Sequence, residues 1–165
     1  MIGDRIDRSR PPDFGGRTIT AIHLHHDGGG TELDDARDVE KDALSRTDER
    51  FAAIPYNIVI YRPLAPDPPT LGVNYWIAVE GRPLEVMPAS IGGHNTGAVA
   101  IVVAGRWDRD PLPLFALERI AEVCVWVCRA AGLGAEAIFG HRELANTLCP
   151  GYDPELVRQA VRDRL

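Results

Sequence analysis

Four residues in this 165-residue chain have types and spacing that suggest chemistry: the pair His25 and His26, then His141, then Cys149 eight positions later. The histidine pair closes a β-prone stretch and precedes Gly28-Gly29-Gly30. His141 follows a second β-prone stretch, and Cys149 stands before Pro150-Gly151. Ends of sheet strands are rigid supports on which site residues gather. Two imidazoles and one thiolate make a favourable Zn²⁺ donor set, and three protein ligands leave a fourth position open, the pattern of a catalytic rather than a structural site. Zinc held this way lowers the pKa of water to about 7 and polarises a carbonyl. Taken singly, each residue also reads as ordinary: a histidine with its polar needs met, a small buried cysteine before a turn.

The elements that must position these side chains follow from patterning. Arg17 to His25 is rich in β-branched and apolar residues and reads as a strand. Alternation puts Ile22, Leu24 and His26 on one side, and Ala21, His23 and His25 on the other. A surface helix follows, capped by Thr31 or Asp34 and ending before Pro55, with Val39, Ala43, Leu44, Phe51 and Ile54 as its sparse apolar positions. The acidic run from Glu32 to Glu49 reads as its solvated face. Tyr56–Tyr61 and Val73–Glu80 read as a long hairpin, joined across 62–72 by a stiff loop containing Pro63, Pro66, Pro68 and Pro69. Residues 83–97 are irregular. The uniformly apolar Ala98–Ala104 reads as a central strand covered on both faces. Leu114–Ala131 is a helix, with Pro113 at its start, Gly132 past its end, and Cys124 and Cys128 on a buried face. Glu136–Gly140 is a short strand, and Asp153-Pro154 opens a last helix. Trp76 and Trp126 read as core residues, and Trp107, between Arg106 and Asp108, as exposed. The fold class is therefore α/β: a single domain with a central mixed sheet flanked by helices, spanning 17–165 after an irregular leader over 1–16.

Composition narrows the partners. A formal charge of −6 disfavours nucleic-acid binding, which needs a basic face. No apolar run approaches the ~20 residues of a membrane span. Met1 to Arg5 lack the apolar core of a signal peptide, so the expectation is synthesis in the cytoplasm. Three cysteines cannot form a fully paired framework.

Five segments in order carry a family resemblance. Ile22-His23-Leu24-His25-His26-Asp27-Gly28 resembles a strand ending in His-His-Thr/Ser before a small-residue loop. Ile54-Pro55-Tyr56-Asn57-Ile58-Val59-Ile60 resembles a Gly/Pro-Tyr-His/Asn-Phe-Leu-Ile strand. Glu80-Gly81-Arg82 resembles the end of a Tyr-Glu-Gly-Arg hairpin. The segment from Gly93-His94-Asn95-Thr96 to Ile101 resembles Gly-His-Asn-Ser-x-Ser-Ile-Gly-Ile. Gly140-His141-Arg142-Glu143, with Thr147-Leu148-Cys149-Pro150-Gly151, resembles Gly-His-Arg-Asp/Glu followed by Thr-x-Cys-Pro-Gly. Together they are similar to the type 2 N-acetylmuramoyl-L-alanine amidases, a family that includes peptidoglycan recognition proteins and amidase-type phage lysozymes.

Residue by residue, the resemblance implies His25, His141 and Cys149 as zinc ligands, with His23 as a rival to His25 on the same strand face. It implies Tyr56 and Thr147 as catalytic residues beside the developing oxyanion, and His94 and Asn95 as substrate contacts; Asn95 also reads as a loop-fixing residue. Glu143 is a candidate base or a partner of a metal ligand or of Arg142, and Asp27 either a partner of His26 or a group that tunes the zinc. Ser90 stands where the family often has histidine. The implied activity is hydrolysis of the amide between N-acetylmuramic acid and L-alanine of peptidoglycan by a monomeric phage or prophage endolysin acting at the bacterial wall, reached with a separate holin. The alternatives are a non-catalytic peptidoglycan-recognition module and a bacterial wall-recycling amidase.

Overall fold

The apolar run at 98–104 forms the middle of the molecule. In the computed structural model, which describes residues 5–29, 31–46, 51–63 and 75–165, Ala98–Val103 is strand β4, buried along its whole length. It pairs in parallel with β1 (Ala21–His26) on one side and β2 (Ile58–Tyr61) on the other. The antiparallel β3 (Ile77–Glu80) and the parallel β5 (Ile138–Gly140) complete a five-stranded mixed sheet in the order β3-β2-β4-β1-β5. Period-two alternation then sorts side chains between two cores. Ile22, Leu24, Val99, Ile101 and Val103 face the larger core with helix α2 (Leu114–Ala131), while Ala100 and Val102 face Ala36 and Val39 of helix α1 (Ala36–Ser45).

Helix α2 has the expected bounds. Gly132, at φ +68°, ends it in the left-handed conformation, and its N–H bonds to the Cys128 carbonyl. Cys124 and Cys128 are fully buried, and burial pushes the Cys124 thiol far up and that of Cys128 to about 11, so neither is a nucleophile at neutral pH. Helix α4 (Pro154–Arg162) opens on Asp153, whose side chain accepts from the Glu155 N–H.

Three expectations are corrected, and one element is added. Asp35, not Thr31 or Asp34, caps α1: its carboxylate accepts from the N–H groups of Arg37 and Asp38, and Asp38 returns a bond to the Asp35 N–H. Thr31 and Asp34 instead bond each other in the preceding turn. Helix α1 also stops at Ser45, because Arg46 is extended; Leu44 is exposed and Phe51 lies beyond the helix. Trp107 is buried, its indole N–H directed at the Val103 carbonyl at 3.4 Å and its ring 6.0 Å from that of Trp76. Finally, a single helical turn, α3 (His141–Leu144), begins directly at the exit of β5.

Strands β1, β2, β3 and β5 are shorter than their apolar patterns. Arg17 leaves the β1 line to donate to the carbonyls of Leu84, Val86 and Ala98. Residues 135–137 form a 3₁₀ turn rather than part of β5. Most of the proline loop, Val73 and Asn74 of the expected third strand, and residues 47–50 lie outside the described residues. Residues 5–16 cross the outer edge of the sheet: the Ile6 N–H bonds to the Ala78 carbonyl, Ile6 and Phe14 join the larger core, and Trp126, half-buried, donates its indole N–H to the Arg10 carbonyl. No helix among the described residues is long and apolar enough to cross a membrane.

Asn57 ties the sheet to the irregular segment that follows β3. It is fully buried; its amide nitrogen donates to the carbonyls of Arg82, Pro83 and Val86, and its side-chain oxygen accepts from the Ala100 N–H at 3.1 Å. Leucine at this position strands those groups in the core. We expect Asn57→Leu to lower the unfolding free energy by about 3 kcal/mol, read from urea unfolding. A loss within about 0.5 kcal/mol would mean the amide is replaceable.

Candidate metal centre

Strand pairing brings the first two donors together. β1 and β5 run parallel, their last register pair is Leu24 with Gly140, and the next residue on each chain is a histidine. The rings of His25 and His141 stand 4.8 Å apart between centroids at the C-terminal ends of these strands. Cys149 returns to them because the Arg142 N–H bonds to the Cys149 carbonyl at 2.6 Å, while Thr147 Oγ1 accepts from the Cys149 N–H at 3.2 Å. The Cys149 sulfur lies 3.6 Å from His25 Nδ1 and accepts from the His26 N–H at 3.3 Å. One donor atom from each of His25, His141 and Cys149 falls within 4.8 Å of the others.

Burial sets the charge state of this cluster. His25 is 1% exposed, and desolvation holds its pKa well below the ordinary imidazole value; His141 is lowered for the same reason. Both imidazoles are therefore neutral at pH 7, the form that ligates metal. Desolvation pushes the Cys149 thiol up to about 12, so a nearby cation is needed to hold it as thiolate. His25 Nε2 is buried with no hydrogen-bond partner among the described residues. Two neutral nitrogens and one sulfur, converging beside a cleft that His141 and Cys149 line, fit zinc by softness and number.

The cleft has a volume of about 620 Å³ and is lined by Tyr56, Thr147, His141 and Cys149, among others. The Tyr56 ring sits 5.0 Å from that of His25, so both expected hydroxyls share the cleft with the donor cluster. His94 is exposed and Asn95 half-buried, and neither lines the cleft. The Asn95 side-chain oxygen accepts from the N–H groups of Ser90 and Ile91, which fixes the loop. A second cavity, of about 610 Å³ between the leader and α2, contains no histidine or cysteine.

The remaining candidates stay outside the donor cluster, although His26 and Asp27 line the cleft. His23 is buried two residues before His25 and stays outside the donor cluster. His26 Nδ1 approaches Asp108 at 3.8 Å, and Asp108 pairs with Arg106. Asp27 instead accepts from the Gly105 N–H at 2.9 Å. Glu143 accepts from the Gly140 N–H and is gripped by both terminal nitrogens of Arg158, so it is no base for the cleft. Sequence reading had not singled out Asp42, Arg46, Phe51 and Asn146 as cleft-lining residues. Arg46 pairs with Asp42 four residues before it and also donates to the Asp27 carbonyl, a contact between segments with no local sequence signal.

The family model described as N-acetylmuramoyl-L-alanine amidase matches residues 15–152. The chain belongs to this amidase family. The matched span contains all three donors of the cluster, together with Tyr56 and Thr147. Solved structures share the amidase fold. N-acetylmuramoyl-L-alanine amidase LysC from Clostridium intestinale URNW is 14% identical, with a TM-score of 0.69 over 93% of this chain and 91% of that one. The Ph2119 endolysin from Thermus scotoductus MAT2119 bacteriophage Ph2119 is 19% identical, with a TM-score of 0.61 over 95% and 89%. Human PGRP-IBETAC in complex with glycosamyl muramyl pentapeptide is 20% identical, with a TM-score of 0.64 over 86% and 82%. Among curated proteins, no sequence matches this member of the amidase family.

Proposed function

We propose that residues 17–165 form a zinc-dependent N-acetylmuramoyl-L-alanine amidase domain, which hydrolyses the amide between N-acetylmuramic acid and the L-alanine of peptidoglycan. The observation that carries this reading is the convergence of His25, His141 and Cys149 in one donor cluster, of which His141 and Cys149 line the cleft, in a chain of the amidase family. These three residues would hold the metal. The chemistry zinc supplies there is Lewis acidity, which polarises a carbonyl and acidifies water.

The chain's own groups handle orientation and charge. The neutral rings of His25 and His141 add no positive charge of their own to the site. Tyr56 and Thr147 are hydroxyl donors for the negative charge that builds on the scissile carbonyl oxygen. Thr147 accepts from the Cys149 N–H, which leaves its single proton to donate into the cleft. Losing one such donor costs ~3 kcal/mol of transition-state stabilisation. With a formal charge of −6, attraction to an anionic wall gives no help, so recognition rests on the cleft. We read the protein as a monomeric endolysin of phage or prophage origin that reaches the wall through a separate holin.

The test uses purified peptidoglycan. New L-alanine amino termini should appear with the zinc-loaded protein, disappear after exhaustive chelation and return on addition of Zn²⁺. Cleavage that survives complete metal removal would overturn the metal reading. Wall binding by fully loaded protein without new amino termini would favour a recognition module.

A further inference from the structure

We propose that Arg82 is a positioning residue that clamps the backbone on both sides of Tyr56 and so aims the Tyr56 hydroxyl into the cleft. The proposal rests on the reading of Tyr56 as a hydroxyl donor. Tyr56 lies two residues before β2 begins, beyond the sheet register that holds Ile58 onward. Its carbonyl accepts from the Arg82 N–H at 2.7 Å, while Arg82 Nε donates to the Ile54 carbonyl at 2.9 Å. A third bond, from Arg82 Nη1 to the Met87 carbonyl at 3.1 Å, ties the same guanidinium to the segment after β3. The planar guanidinium holds these two separate carbonyls with donors fixed on different nitrogens, whereas a lysine ammonium has its three rotatable donors on one nitrogen.

The neighbouring residue completes the clamp. The Gly81 N–H bonds to the Asn57 carbonyl, and a Cβ at Gly81 would stand 2.6 Å from the Tyr56 carbonyl oxygen. The hairpin therefore closes on the Tyr56 backbone with no room for a side chain. Arg82 does not line the cleft, so any effect on hydrolysis passes through Tyr56, through the segment from Met87 to the cleft-lining Ser90, or through general loss of structure.

A double-mutant cycle separates these routes. The rate is measured on a soluble muropeptide, with zinc content and thermal midpoint determined for every variant. Tyr56→Phe should lower kcat at least tenfold, and loss of a full oxyanion donor brings about a hundredfold or more. Arg82→Met should lower kcat by about tenfold or more, since small misplacements of a reacting group are costly, with KM and zinc content unchanged. In the Tyr56→Phe background, Arg82→Met should cost less than about twofold, because the hydroxyl it aims is already gone. Arg82→Lys should fall between wild type and Arg82→Met, and it carries the same cycle should the methionine variant not fold. Equal losses in both backgrounds overturn the proposal, as does an unchanged rate in Arg82→Met. An unchanged rate in Tyr56→Phe removes Tyr56 from the chemistry and the proposal with it, while the chelation result stands apart.

Discussion

Cys149→Ser leaves a folded protein that neither retains zinc nor cleaves peptidoglycan. The thiol is 7% exposed, touches His25 and accepts from the backbone of His26. Serine fills nearly the same volume and can accept the same N–H, so the apo protein should unfold within about 1 kcal/mol of wild type. Its hydroxyl is far less acidic than a thiol and a poorer partner for a borderline-soft cation. Perturbing groups that merely support a ligand typically costs 10–100-fold in metal affinity or activity, and loss of the ligand itself should exceed that. Zinc content after dialysis should fall below about a tenth of an equivalent, and release of L-alanine amino termini below about 1% of wild type. Cys124→Ser, within α2 and away from the cleft, should keep its zinc. Near-wild-type hydrolysis by Cys149→Ser would remove the sulfur from the site and leave two imidazoles, too few to hold the metal.

Gly151→Ala should be among the most disruptive single-methyl additions in the chain. Gly151 adopts φ +83°, which costs an L-residue about 1–2 kcal/mol by itself. Its N–H also closes the turn around Cys149 by bonding to the Leu148 carbonyl at 2.8 Å. A Cβ there would stand 2.3 Å from both the Asp108 nitrogen and the Trp107 carbonyl carbon, and 2.7 Å from the Trp107 carbonyl oxygen. All three are backbone atoms, so no flexible side chain can yield. We expect a loss of at least about 3 kcal/mol in urea unfolding, with reduced zinc content as the Cys149 turn is displaced. Gly132→Ala is the matched control: φ is +68°, but nothing lies within 4 Å of the added carbon, so the cost should be only about 1 kcal/mol. Equal effects at the two positions would show that conformation, rather than packing on Trp107, makes glycine necessary at Gly151.

Much of the fold was legible where the deciding physics is local. A short apolar run rich in β-branched residues reads as a strand covered on both faces, and Ala98–Val103 is that strand. The Pro113 and Gly132 bounds of α2, and the Asp153-Pro154 start of α4, are signals contained within a few residues. Local signals failed where a distant partner decides the outcome. Strand β1 begins only at Ala21, and the Arg17 side chain goes to the carbonyls of Leu84, Val86 and Ala98. Flanking charges suggested exposure for Trp107, but its ring covers Gly105, where an added Cβ would fall 2.5 Å from the indole.

At the candidate site, the sequence by itself determined the chemical inventory: imidazoles and a thiol at strand exits, Tyr56 and Thr147 in segments that resemble the amidase family, and too few positive charges for a polyanion. Only the tertiary structure decided which of these groups meet. His23, His25 and His26 are equivalent as residues, yet strand alternation and the pairing of Leu24 with Gly140 bring His25 to His141, while His26 faces Asp108. Glu143 follows His141 by two residues, but Arg158 of α4 draws it away from the cleft. The physical reason is that a side chain's type is a property of one position. Its partners are set by strand register and loop closure, across a separation of 124 residues between His25 and Cys149.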